Sequence, residues 1–276
     1  MLNGFLIEGG ENSWFHGVKL NRGYDANGMV TVDPALEFRV PGFDEQLISD
    51  LGSKDPNRVS LEASVSVSGD TAWLNSSGGL LQGWDISSLR TGSGQVNRTF
   101  RYWVGDDADA TIVPDDEGYL FVGVEVDRNN SRAQEVGQLL KIDPRQPDNP
   151  VVWSIDINNG TDSGTWAAPI IAGDVVIWNA KPGKVYGIDR ATGEILWKLA
   201  VQGPVLSSPV LVDGVLVQAD ANGTLHAWDA SNLRVEPPLL WQLDLDGNIE
   251  STPAVWNGRI YVGTRGGYVY CIGLPT

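Results

Sequence analysis

A chain of 276 residues with 42% apolar and 20% charged side chains is long enough to bury a core and too apolar to be disordered. Its 33 Gly, 15 Pro and 11 Trp fit many short strands and tight turns and speak against a helical bundle. A net charge of −16, from 35 acidic and 19 basic residues, repels phosphate backbones and anionic lipid heads, which excludes nucleic acid and acidic membranes as partners. Cys271 is the sole cysteine, so neither an internal disulfide nor a multi-thiolate metal site can form. No apolar run approaches the ~20 residues of a membrane span. Met1 opens directly on strand-like sequence, so a signal peptide or lipid anchor is expected only upstream of it.

The chain repeats itself. Met1-Leu2-Asn3-Gly4-Phe5-Leu6-Ile7, Leu211-Val212-Asp213-Gly214-Val215-Leu216-Val217 and Val255-Trp256-Asn257-Gly258-Arg259-Ile260-Tyr261 each read as strand, Asn-Gly or Asp-Gly turn, strand. Val67-Ser68-Gly69-Asp70 and Ile171-Ala172-Gly173-Asp174 are looser copies. In each unit a third strand then ends in Asp, at Asp85, Asp143, Asp189 and Asp229. A fourth strand opens on an aromatic residue, at Phe38, Phe100, Trp153, Trp197 and Trp241, the last three spaced by 44 residues. Ala168-Pro169, Ser208-Pro209 and Thr252-Pro253 open first strands, where proline removes no needed donor.

Four strands per unit of about 40–50 residues predicts an all-β fold, a β-propeller of four-stranded antiparallel blades. The repeat units, about six, fall near 1–41, 60–105, 107–157, 164–201, 206–245 and 250–276, in one domain. Insertions are expected at Gly42–Val59 and Asp127–Glu135. The first unit lacks part of its opening strand and the last stops after its third. The missing outer strand is therefore expected from residues upstream of Met1, in a longer propeller of which this is the C-terminal part.

The stretch Asp189-Arg190-Ala191-Thr192-Gly193-Glu194-Ile195-Leu196-Trp197 resembles the repeat signature of the PQQ-like (quinoprotein-type) propeller family, in which an Asp and a Thr-Gly turn precede a strand carrying Trp. The Pro-containing strand openings and Gly223-Thr224-Leu225-His226-Ala227-Trp228-Asp229 are similar to it as well. The likeness is strong from about residue 164 onward and degenerate before 100. Physically, the Trp column locks blade to blade as core.

Strand alternation places the loops between second and third strands, and those joining one unit to the next, on one face. Aligning the units puts Glu62, Asp109, Trp166, Leu206 and Glu250 in one column at the mouth of the central funnel, flanked by Asp106, Asp107 and, from a hairpin, Arg265. Carboxylates so gathered repel one another unless a cation, a basic partner or a retained proton intervenes. Glu62, Asp107, Asp109, Trp166, Glu250 and Arg265 are the candidate rim, for a protein partner or a carbohydrate or cationic ligand; the alternative is that these acids are solvated loop ends. Asp244-Leu245-Asp246-Gly247-Asn248-Ile249-Glu250 alternates oxygen side chains without the spacing of a calcium loop. His16 and His226 share a packing column with Leu140 and Tyr186, and Cys271 a column of small residues expected to be buried. Asn75, Asn97, Asn129, Asn159 and Asn222 open Asn-x-Ser/Thr triplets, weak glycosylation signals.

The resemblance implies a non-catalytic scaffold, as in propellers like the outer-membrane assembly lipoprotein, working in a periplasm or on a cell surface. It also admits a PQQ- and calcium-dependent dehydrogenase, though no cluster matches a quinone site residue by residue and the adjacent-cysteine disulfide of such enzymes is impossible. A propeller hydrolase or lyase, or a sensor ectodomain, are the remaining alternatives.

Overall fold

The computed structural model describes residues 4–52, 59–160 and 162–273. Along the chain these form six sheets of three or four antiparallel strands, each a blade. Blade 2 comprises Ser66–Ser68, Thr71–Leu74, Leu80–Asp85 and Asn97–Trp103. Blade 3 comprises Val113–Pro114, Leu120–Gly123, Leu139–Ile142 and Val151–Ile155. Blade 4 runs Ile170–Ala172, Val175–Ala180, Lys184–Asp189 and Ile195–Ala200, and blade 5 Val210–Val212, Val215–Ala219, Thr224–Asp229 and Leu239–Asp244. Blade 1 shows Phe5–Gly9, Trp14–Lys19 and Ala35–Pro41, and blade 6 shows Ala254–Trp256, Arg259–Gly263 and Val269–Ile272.

Register assigns the strands of the two end blades. Gly17 pairs with Phe38 as Gly187 pairs with Trp197, so blade 1 displays strands two to four. Ala254 pairs with Tyr261 as Val210 pairs with Val217, so blade 6 displays strands one to three. The turn at Asn3-Gly4 lies partly outside the described residues. The corresponding turns at Asp213-Gly214 and Asn257-Gly258 are two-residue loops with positive φ at both positions, 50° and 75° in one, 48° and 70° in the other. Only Gly, Asn and Asp take that conformation cheaply, which is why the pair is visible in sequence.

Each of Asp85, Asp143, Asp189 and Asp229 accepts the backbone N–H two residues on, closing the third strand with an Asx turn. Asp189 also takes the Thr192 N–H and hydroxyl, so Gly193 follows at φ 78°. There it faces Trp153 of the preceding blade, whose ring carbon Cγ lies 2.8 Å from where a Cβ would be. Trp153 donates its indole N–H to the Arg190 carbonyl at 3.1 Å, and Trp197 donates to the Leu233 carbonyl of blade 5 at 2.7 Å. Trp197 therefore clasps the next blade's turn while its ring lies on Gly187 of its own third strand. A Cβ on Gly187 would stand 2.0 Å from the Trp197 ring, and one on Gly17 2.0 Å from Phe38.

Five apolar clusters fill the five junctions between successive blades, each joining residues of two neighbours. Trp197 with Leu216 and Trp228 is the junction of blades 4 and 5. The first strands of blades 2 and 3 approach one another, which puts the first strands innermost. The two insertions carry short helices, Glu45–Asp50 and Ser131–Val136. Asp44 caps the first by accepting the Leu47 N–H and pairs with Arg98 and Arg101 on the outer strand of blade 2, while Leu47 packs with Val59 and Leu80.

The junctions predict unequal costs for equal substitutions. Trp197→Ala removes a ring only 4% exposed and is expected to cost ~3–5 kcal/mol in urea unfolding. Gly187→Ala, by overpacking that ring, costs ~1–3 kcal/mol. Trp241→Ala, at 36% exposure, costs under ~1 kcal/mol.

Candidate functional site

Because strands alternate in direction, the hairpins between second and third strands and the links from one blade to the next emerge at the same end of every sheet. In blades 2 and 3 these loops are tied together by Asp106, which is fully buried. Its carboxylate accepts the backbone N–H groups of Asp107, Arg128 and Asn129, at 2.9, 3.0 and 2.6 Å. Arg128 in turn donates to the Ser77 carbonyl of blade 2 at 2.7 Å. The insertion in blade 3 is thereby tied to the link that delivers Asp107 and Asp109.

Those two carboxyls stand beside each other, and the raised Asp107 keeps its proton. Their Oδ1 atoms are shut off from solvent and have no hydrogen-bond partner among the described residues. Two ionised carboxylates cannot share such a place. Burial first, then the Asp109 charge, pushes Asp107 far above the carboxylate range; burial also raises Asp109, with Glu62 and Asp127 adding to it. Glu62 itself is exposed and accepts the Ser60 hydroxyl.

Beside this pair stands a bound ammonium supplied by the chain. Lys181 Nζ lies 2.8 Å from Glu125 Oε1, 2.5 Å from Asp162 Oδ1 and 3.9 Å from the centre of the Trp166 ring. Burial disfavours its charge, yet the two carboxylates hold its pKa above the ordinary value. Burial pushes Glu125 up to about 7 against the pull of Lys181. Lys181 stays charged through that titration because Asp162 faces it as well.

The predicted rim therefore falls into two groups. Glu62, Asp107, Asp109 and Trp166 gather on blades 2 to 4. Glu250 and Arg265 pair with each other at 2.6 Å in blade 6, beside a shallow depression of about 400 Å³. Glu125, Asp162 and Lys181 were not singled out by sequence. Glu125 and Lys181 sit just past second-strand ends, where alignment shows only variable loop residues. The candidate calcium loop is a turn: Asp244 accepts the Thr224 hydroxyl, and the Asp246 carbonyl accepts that of Thr264. Among the described residues no three His, Cys, Asp or Glu side chains form a metal-ligating group. Nor do the side chains fit a quinone with calcium, since the face of Trp166 carries Lys181.

Three smaller expectations are resolved as well. His226 is 5% exposed, bonded to the fully buried Asp220 at 3.0 Å and stacked on Trp228, a packing role. Asn75 is 1% exposed and bonded to the Ala110 carbonyl, so in the folded chain it is no glycan acceptor. Cys271, expected to be buried, is exposed. Its sulfur meets Arg259 Nη1 at 4.0 Å.

Residues 137–236 match a family profile described as outer membrane protein assembly factor BamB. Over those residues the chain is similar to PQQ-like propeller repeats. Its sequence is 29% identical over 133 residues to the outer membrane protein assembly factor BamB of Yersinia pestis, covering 44% of this chain and 33% of that protein. It is 24% identical over 200 residues to BamB of Nitrosomonas eutropha, covering 70% and 43%. A stretch of 113 residues is 27% identical to the beta-alanine-activating enzyme of Danio rerio, covering 37% of this chain and 9% of that one. The chain thus spans less than half the length of these curated relatives. In structure it resembles BamB from Moraxella catarrhalis with a TM-score of 0.58 at 21% identity, over 78% of this chain and 59% of that one. A chain of the mitotic checkpoint complex matches with a TM-score of 0.63 at 11% identity, over 98% and 71%. Both likenesses support the propeller fold. No helix among the described residues is long and apolar enough to cross a membrane.

The raised carboxyls make stability depend on pH in a stated direction. Native Asp107 keeps a proton that the unfolded chain releases above about pH 4, so its contribution is full below that pH and lost as pH rises. Asp107→Asn, whose amide can donate to Asp109 as the protonated carboxyl does, is expected to raise the thermal midpoint at pH 8 but not at pH 4. It removes a downward slope of up to about 1.4 kcal/mol per pH unit. An unchanged slope in calorimetry across that range would refute the shared proton.

Proposed function

We propose that this chain is a non-catalytic propeller module, one domain, that holds a protein partner against the loops of blades 2 to 4 and reads a basic side chain there. The observation that carries the reading is the part-buried Asp107–Asp109 pair. Two of its oxygens lack donors and exposed Glu62 stands near it, in a chain of net charge −16. A guanidinium or ammonium group of a partner supplies what the shared proton supplies only in part. The Lys181 arrangement supports the same chemistry, because Trp166, Glu125 and Asp162 already hold one ammonium at this face.

The relatives named as outer membrane protein assembly factors favour a scaffold role outside the cytoplasm, in a periplasm or on a cell surface. Hydrolysis of a glycoside needs carboxyls separated by about 5 Å or more with substrate between them. Asp107 and Asp109 interact directly, which leaves no room for a sugar between them and argues against that alternative.

A short oligolysine peptide tests the reading by calorimetry at neutral pH and moderate salt. Neutralising Glu62 and Asp109 together, by Gln and Asn, is expected to weaken binding at least about tenfold, or ~1.4 kcal/mol. Neutralising Asp213 and Glu194, exposed turn residues at the opposite end of the blades, leaves it unchanged. Equal losses from both double variants would mean bulk charge attraction and would remove the proposed site.

A further inference from the structure

Blades 3 and 4 enclose a pocket of about 280 Å³, walled by the link that leaves blade 3 and by the outer half of blade 4. Lys184 and Tyr186 of the third strand and Lys198 of the fourth line it from one face of the sheet, since alternate residues point the same way and Tyr186 pairs with Lys198. Two of the chain's six lysines therefore meet in one pocket. Neither forms an ion pair among the described residues, and Lys198 Nζ stands 5.2 Å from the centre of the Tyr186 ring. Tyr186 is only 5% exposed, and its hydroxyl has no hydrogen-bond partner among the described residues. Burial raises the pKa of that hydroxyl, so it remains a donor at neutral pH.

The same ladder positions in other blades are satisfied from within. In blade 2 they hold Gln82 and Arg101. Gln82 donates to the Gly42 carbonyl at 2.7 Å and Arg101 pairs with Asp44 at 2.8 Å, both partners lying on the link from blade 1. In blade 5 His226 takes the place of Tyr186 and Thr224 that of Lys184. His226 bonds to Asp220 at 3.0 Å, and the Thr224 hydroxyl to Asp244 at 2.8 Å. In blade 4 the residue opposite Lys184 is Ala200, which offers no side-chain acceptor. The link from blade 3 brings Asp156 to the pocket wall, but its Oδ1 accepts the Asn158 N–H at 2.9 Å and it pairs with neither lysine. Blade 2 thus shows what answers a basic side chain at this step, a carboxylate, and blade 4 has the cations without it.

We propose that the pocket between blades 3 and 4 binds a carboxylate, held by the ammonium groups of Lys184 and Lys198 with the Tyr186 hydroxyl as a third donor. The chemistry is that of Asp44 on Arg101, supplied here by a free acid or by the acidic side chain of a peptide. A chain of net charge −16 repels anions at long range, so affinity rests on these short contacts and not on the overall field. None of these residues belongs to the Asp107–Asp109 site, and the inference stands without that reading.

The test titrates the whole chain with two probes and follows the amide chemical shifts of residues 184–186 and 198. One probe is glutarate, a free acid. The other is a peptide blocked at both ends that copies residues 42–46, Gly-Phe-Asp-Glu-Gln, the segment that meets Arg101 in blade 2. Binding of either supports the proposal, and the tighter of the two identifies the source of the carboxylate. Replacing Lys184 and Lys198 together by Gln is expected to weaken binding at least about tenfold. Tyr186→Phe, which keeps the ring and removes the donor, weakens it roughly three- to tenfold. The peptide with Asn and Gln in place of its two acids does not bind. Three results overturn the proposal: neither probe shifting these amides at about 10 mM, binding that survives the double lysine variant, or equal losses from Lys198→Gln and from Lys19→Gln on blade 1, which would mean bulk charge alone.

Discussion

Everything in this molecule hangs on the contact between an outer-strand aromatic ring and a small residue of the strand beside it. At Gly17 and Gly187 the residue opposite offers no bulk beneath the ring, and even a Cβ there would come within 2.0 Å of it. Lying flat, the Trp edge reaches the next blade's turn, where Trp153 and Trp197 find carbonyl acceptors. One contact thus serves twice, closing a blade's own sheet and fastening it to the next. The Asp-x-x-Thr-Gly turn is the receiving half: Asp189 folds it, and Gly193 at positive φ makes room for Trp153.

This is why the fold was so legible in the chain. Features that require a particular residue type recur at a fixed spacing: Asn-Gly and Asp-Gly for positive φ, Asp at a strand end, Trp opposite Gly. The strand order, the register and the insertions follow from them. The site was legible only in part. Asp107, Asp109 and Glu62 come together because their column is set by strand ends. Trp166 was legible too, but its partner Lys181 was not, for Lys181 lies in a hairpin whose residues no repeat constrains. Glu250 aligns with Glu62 in the column, yet its side chain is taken by Arg265. A column places backbones around an opening; side-chain pairing decides which of them act together.

The carboxyl pair also shows what a site costs in such a scaffold. Asp106 is fully buried and ionisable, and three backbone N–H groups satisfy it. Asp107 and Asp109 follow directly and have no such donors for their Oδ1 atoms. The chain spends one acid on holding the loops and leaves the next two under-satisfied. Unsatisfied polar atoms in a rigid setting mark places where structure yields to function.

The inner ends of the second strands make the same distinction between a satisfied and an unsatisfied copy. Asn179 and Asn75 occupy equivalent steps of their ladders, and each reaches across to the next blade, to the carbonyls of Ser207 and Ala110 at 2.5 and 2.8 Å. Asn179 keeps its carbonyl oxygen busy with the Thr165 hydroxyl at 3.2 Å. In blade 2 the residue aligned with Thr165 is Leu61, which donates nothing, and Asn75 Oδ1 is left without a partner. Stability in a repeat protein is a sum over units and junctions. A junction can therefore lose a hydrogen bond at Asn75 while the rest of the stack keeps its register. That tolerance lets some units carry exposed or under-satisfied surfaces while their neighbours supply the stability.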